Sequence, residues 1–109
     1  MIAGDGAFLY NPQELATMRL LGQKLTVIIA NDGGYGAIKH TMTERFGRAT
    51  AHALANPDFV RLGEAFGMQA RRLASPDEVG QALAEALAGS QPTLIEVPLE
   101  LRPPRKFYE

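Results

Sequence analysis

Residues 4–38 read GDGAFLYNPQELATMRLLGQKLTVIIANDGGYGAI, and the two ends of this stretch decide the fold. Gly4-Asp5-Gly6 follows the apolar Met1-Ile2-Ala3, and Asn31-Asp32-Gly33-Gly34-Tyr35-Gly36 follows the apolar run 25–30. The 24 residues between Gly6 and Asn31 hold one helix and one strand. Asp5 supplies a carboxylate and Asn31 a carbonyl oxygen. Both are hard oxygen ligands of the kind Mg²⁺ takes in small number beside substrate phosphates. The surrounding glycines let backbone N–H groups approach an anion closely. The two segments therefore read as half of a Mg²⁺–diphosphate clamp.

Working outward, three helix starts share one pattern: Asn11-Pro12-Gln13-Glu14, Asn56-Pro57-Asp58 and Ser75-Pro76-Asp77-Glu78. Each places a capping side chain before a proline at the first helical position, where the missing N–H costs nothing. Glu14 and Glu78 stand at capping-box spacing. The pattern predicts helices over 12–21, 57–66 and 76–88, stopped by Gly22, Gly67 and Gly89, and a loop and helix stand between the apolar run 25–30 and the 57–66 helix. Val79, Leu83, Ala86 and Leu87 form the expected buried face of the third helix, and Phe59, Val60, Leu62 and Phe66 that of the second. Strands are expected at 25–30, 69–73 and 93–98. The first is continuously apolar but for Thr26, as a parallel strand covered on both faces should be. Strand and helix alternate, which predicts an α/β fold: a mostly parallel sheet flanked by helices. Ligands in such sheets bind at the carboxyl ends of strands, where Asp5 and Asn31 would both lie.

Gly-Asp-Gly followed about two dozen residues later by Asn-Asp resembles the cofactor signature of thiamine-diphosphate-dependent enzymes. The flanking residues are similar to the acetolactate synthase and benzoylformate or pyruvate decarboxylase group, and the likeness extends to the ending TLIEVPL. The resemblance implies a metal set of Asp5, Asn31 and the backbone carbonyl of Gly33, leaving places for two diphosphate oxygens and a water. It implies cofactor contacts from Gly4, Asp5, Gly6 and Ala7 on one side. On the other side stand Asn31, Gly33, Gly34, Tyr35 and Gly36, at the N-terminus of the helix near Ala37. Thiamine diphosphate and Mg²⁺ are the implied cofactors, in a parent that decarboxylates or ligates 2-oxo acids. The family's usual second Asn is Asp32 here, which adds a carboxylate near an anion. In the family an activating glutamate comes from a different domain, usually of a neighbouring subunit, and a bulky apolar residue upstream bends the cofactor. Glu14 and Glu44 match no such motif, so no catalytic residue is assigned and the piece is not expected to turn over substrate alone.

At 109 residues the chain is one domain, large enough for an ordinary core. Its 46% apolar and 21% charged content fits a soluble globular protein. A net charge of −1 offers no electrostatic case for nucleic acid or an anionic membrane. With no cysteine there is no disulfide, thiolate zinc site or Cys nucleophile. No apolar run approaches a membrane span and no signal peptide is evident, so a cytoplasmic location is expected. The first strand has only residues 1–3 before Gly4. This reads as a fragment: residues 1–109 are expected to be the C-terminal part of a thiamine-diphosphate/Mg-binding domain. Missing N-terminal domains or a partner subunit, and a homo-oligomer, are the expected partners. The 102–109 tail, with Pro103 and Pro104, is expected to run over the surface.

Other readings remain open. Gly4-Asp5-Gly6 alone is compatible with an ordinary βα turn. It is not a dinucleotide fingerprint, because Leu9 stands where a third glycine is required. Asp32-Gly33 is compatible with a hairpin turn, although residues 35–42 lack strand alternation. His40 and His52 have no partner at metal-ligand spacing and read as exposed or structural. Met18, Met42 and Met68 read as packing residues. A non-catalytic diphosphate-binding or assembly module is the alternative function, and a domain for another phosphorylated ligand a third.

Overall fold

Four short strands form one parallel sheet in the computed structural model, which describes residues 1–100. The strands are β1 (Ile2–Gly4), β2 (Thr26–Asn31), β3 (Gln69–Arg72) and β4 (Thr93–Pro98), in spatial order β1-β2-β4-β3. Register pairs Gly4 with Ala30, Ile29 with Glu96 and Arg72 with Glu96. The helices are α1 (Asp5–Phe8), α2 (Glu14–Leu20), α3 (Gly36–Phe46), α4 (Phe59–Ala65) and α5 (Val79–Ala88). The expected α/β class, a parallel sheet with helices, is what the chain adopts. The tail expected on the surface lies outside the described residues.

Alternate residues of the strands feed two cores, as a parallel sheet requires. Val27, Ile29 and Leu94 on one face pack with Phe8, Leu15, Met18, Phe59 and Met68 from the segments carrying α1, α2 and α4. Phe8 and Phe59 meet edge to face, with ring centroids 5.9 Å apart. Ile28, Ile95 and Val97 on the other face pack with Ala82 and Ala86 of α5.

The helix stops follow the sequence closely. Gly22 and Gly67 both adopt left-handed backbone, φ 61° and 76°. Each closes the same pair of bonds: Gly22 N–H to Arg19 and Gln23 N–H to Met18, Gly67 N–H to Glu64 and Met68 N–H to Gly63. This is the Schellman ending, which needs a residue without a Cβ penalty.

The helix starts depart from expectation at two of three places. Ser75 caps as read, its Oγ accepting the Asp77 N–H, although the first turn, Pro76–Glu78, is 3₁₀ rather than α. Asn11 does not cap, and α2 begins at Glu14. For α4 the cap is Asp58, whose Oδ1 accepts the Arg61 N–H at 3.1 Å, not Asn56. Of the expected face of α5, Ala86 is buried and Val79 and Leu83 pack against the same core, whereas Leu87 is 60% exposed and Ala82 is buried instead. Val60, Leu62 and Phe66 are only half-buried beside the fully buried Phe59. No residue of α3 is buried, and Met42 within it is half-buried. Among the described residues no helix is long and apolar enough to cross a membrane.

Candidate functional site

β1 and β2 are neighbours whose carboxyl ends deliver Asp5 and Asn31 to one place. Asp5 follows β1 directly and opens α1, and it is only 1% exposed. Asn31 is the last residue of β2. One amide joins them: Asn56 Nδ2 donates to Asp5 Oδ2 at 2.7 Å and to Asn31 Oδ1 at 3.0 Å.

The Asn31 amide is oriented from behind. Its Nδ2 donates to Glu96 Oε1 at 2.6 Å, and Glu96 is fully buried in β4. Glu96 Oε2 in turn accepts from Arg72 Nε at 2.9 Å. That hydrogen bond, with the charge of Glu96, holds the Arg72 guanidinium still further above its already high range. An ionised carboxylate only accepts. The Asn31 NH₂ therefore faces Glu96, and its carbonyl oxygen faces the Asp5 side, where the Gly33 N–H also donates to it at 3.0 Å.

The loop after Asn31 is pinned by residues 52–54. Tyr35 N–H donates to the His52 carbonyl at 2.8 Å, Leu54 N–H donates to the Gly33 carbonyl at 3.1 Å, and Gly34 bridges Ala53. A Cβ on Gly34 would run into the His52 carbonyl oxygen. Gly6 lies under the Tyr35 ring, where a Cβ would come within 2.7 Å of Cε1. Gly4 and Gly33 are different, since a Cβ on either would meet nothing within 4 Å. The glycines thus divide into two that pack backbone closely and two that leave backbone approachable. The Tyr35 phenol is pushed above its usual range, first by its hydrogen bond with Tyr10, then by the Tyr10 charge, burial and the Asp5 carboxylate. α3 begins at Gly36 with no side-chain cap, so its first N–H groups and positive dipole end are available to an anion.

What this arrangement can hold follows from its donor set. Among the described residues no three His, Cys, Asp or Glu side chains converge, which excludes a zinc-type cluster there. Among the described residues, the ion pairs shown join Arg61 with Asp58, Arg71 with Glu85 and Arg72 with Glu96, and none of these includes Asp5. A buried carboxylate met by a neutral amide is costly unless a cation compensates it. Asp32 Oδ2 and Asn56 Oδ1 are also buried without a hydrogen-bond partner among the described residues. One carboxylate, amide oxygens and an approachable backbone suit Mg²⁺, which keeps places for phosphate oxygens.

The structure brings Asp5, Asn31, Gly33 and the 34–36 turn together as the sequence suggests. It adds Asn56, Glu96 and Arg72, which the sequence reading passes over. Asn56 was masked by a plausible role as helix cap. Glu96 carried a usable signal: it is the one charged residue in the apolar strand Thr93–Pro98. His40 pairs with Glu44 on α3 at 3.1 Å, and His52 contributes its backbone carbonyl, so both keep the structural reading.

The parallel α/β sheet sets a buried carboxylate and an oriented amide oxygen at adjacent strand ends. Residues 1–97 match the family model of the thiamine pyrophosphate enzyme C-terminal TPP-binding domain, and the chain belongs to that family. It is 34% identical over 101 residues to a probable acetolactate synthase large subunit of Methanocaldococcus jannaschii, covering 91% of this chain and 17% of the relative. It is 36% identical over 98 residues to a probable 2-ketoarginine decarboxylase of Pseudomonas aeruginosa, covering 89% and 18%. Among solved structures it resembles the thiamine diphosphate-dependent 4-hydroxybenzoylformate decarboxylase of Rhodococcus jostii, with TM-score 0.80 and 29% identity over 93% of this chain and 19% of that one. The chain thus spans about a fifth or less of the length of these proteins.

Proposed function

We propose that the chain holds the diphosphate of thiamine diphosphate through Mg²⁺, as the cofactor-binding part of an enzyme that decarboxylates or ligates 2-oxo acids. The observation that carries this reading is the convergence of the buried Asp5 carboxylate and the oriented Asn31 carbonyl at the ends of neighbouring strands. Asp5 and Asn31 would bind the ion through side-chain oxygens and Gly33 through its carbonyl. That carbonyl keeps a second lone pair beside its bond to Leu54 N–H. Gly4, Gly6, Ala7, Gly34, Tyr35 and Gly36 would line the diphosphate. The Tyr35 N–H is engaged by His52, so the anion contact from that turn falls to Gly36 and the first turn of α3.

When bound, the cofactor supplies carbanion stabilisation, and the protein's part is to place and orient it. This chain's residues do the placing: Glu96 orients Asn31, Arg72 anchors Glu96, and the Tyr35 ring covers Gly6. The 2-oxo acid class is supported by relatives named as acetolactate synthase and decarboxylases. The surroundings of the thiazolium and aminopyrimidine would come from further domains or a partner subunit, in a cytoplasmic homo-oligomer. Calorimetry with inorganic pyrophosphate and Mg²⁺ tests the clamp: Asp5→Ala should abolish metal-dependent binding, and unchanged affinity would overturn the assignment.

A further inference from the structure

Glu96 is a carboxylate set inside the sheet, and its two oxygens serve two different strands. Oε1 accepts from Asn31 Nδ2 at 2.6 Å, and Oε2 accepts from Arg72 Nε at 2.9 Å. Register explains the alignment. Ile29, Glu96 and Arg72 stand side by side on β2, β4 and β3, and Asn31 follows Ile29 by two residues, so all four share one face of the sheet. The Glu96 side chain is 0% exposed, whereas that of Arg72 is 54% exposed. Its neighbour Arg71 points to the opposite face and pairs with Glu85 of α5 at 2.7 Å.

We infer that Arg72, which touches none of the proposed ligands, is a positioning residue for the cation site, acting through Glu96 on the Asn31 carbonyl. The inference rests on the Mg²⁺ reading above and deepens it. A carboxylate has two oxygens, and here each has one partner. With Oε2 held by the guanidinium, Oε1 is the oxygen turned toward Asn31, and the carboxylate is fixed against rotation. A hydrogen bond between two charged groups is stronger than one to a neutral amide, so the Arg72 contact is the firmer of the two anchors. Without it, Glu96 would be a buried charge met among the described residues by one neutral amide, a costly state that draws the carboxylate toward water. Movement of Glu96 releases the Asn31 NH₂, and the amide is then no longer held with its oxygen toward Asp5. A side chain rooted two strands away, roughly 10 Å at ordinary strand spacing, thereby sets the direction of an oxygen it never meets.

The test is calorimetric titration of the full chain with Mg²⁺ and inorganic pyrophosphate. Arg72→Met keeps an unbranched stem but offers neither charge nor donor, and it should weaken Mg²⁺-dependent binding about five- to tenfold, near the lower end of what groups behind metal ligands provide. Arg71→Met removes the adjacent ion pair from the same strand and should bind as wild type. Equal losses in the two variants would show that strand stability is what the site feels, and would overturn the inference. A double-mutant cycle tests the route. In a Glu96→Gln background, Arg72→Met should change affinity by less than about twofold, and fully additive losses would contradict action through Glu96. If the wild type responds to Mg²⁺ and Arg72→Met does not differ from it, only this inference fails. If the wild type shows no response, the cation reading fails with it. Should Arg72→Met not fold, the wild type decides by NMR. The Arg72 Nε–H resonance should shift when Mg²⁺ and pyrophosphate are added, and an unmoved resonance would contradict the coupling.

Discussion

Glu96 Oε1 accepts a 2.6 Å hydrogen bond from Asn31 Nδ2, and this contact determines which end of the Asn31 amide faces Asp5. The two residues are 65 positions apart in sequence and lie on adjacent strands. A glutamine at position 96 could donate as well as accept, so Asn31 would no longer be held one way round. Glu96→Gln should therefore lower Mg²⁺-dependent pyrophosphate affinity about tenfold, the scale seen for groups that orient metal ligands. Isothermal titration checks it, and equal affinities would show that Gly33 N–H and Asn56 suffice to orient Asn31.

Gly34 tests the loop. Its backbone lies against residues 52 and 53, and any Cβ meets the His52 carbonyl oxygen. Gly34→Ala should force the turn away from the 52–54 segment and cost about 1–3 kcal/mol, the range for backbone strain at such sites. Urea denaturation measures the loss. Wild-type stability in the variant would mean that the bridge does not hold the loop.

The exposed edge predicts assembly. Among the described residues β1 pairs on one side only, and Ile2 is 77% exposed. Met1, Ile2, Leu25, Ile28, Leu83 and Leu87 line a groove of about 450 Å³ beside it, and Leu20 and Leu21 are exposed at the end of α2. Unpaired strand edges and apolar patches invite pairing with another chain. The chain should sediment as an oligomer at micromolar concentration, and Ile2→Lys should shift it toward monomer. A wild-type monomer would contradict the expectation.

Much of the fold was legible because it is written locally. The glycine stops at Gly22 and Gly67 and the Ser75 cap depend on neighbours within a few residues, and all appear where expected. The Asn-Pro-Asp start was ambiguous, since both Asn56 and Asp58 are good caps and only tertiary structure decides between them. Leu87 failed for a related reason: helical periodicity marks an apolar stripe, and Val79, Leu83 and Ala86 follow it, but only the tertiary packing turns Ala82 rather than Leu87 onto the core. That Asp5 and Asn31 would meet at neighbouring strand ends was readable from spacing. Glu96 showed locally only as a charge in an apolar strand; its partner Asn31 lies 65 positions away, and those of Asn56 lie 25 and 51 positions away, so what either residue orients or bridges is beyond the reach of any local pattern.

The most direct measurement is calorimetric titration of the wild-type chain with thiamine diphosphate and with pyrophosphate, each with Mg²⁺ and with a chelator. The account predicts weak binding of both ligands, at similar affinity, that disappears when the chelator is present. Binding that persists without a divalent cation would contradict the clamp, and a strong preference for thiamine diphosphate would show that this chain contacts more of the cofactor than its diphosphate.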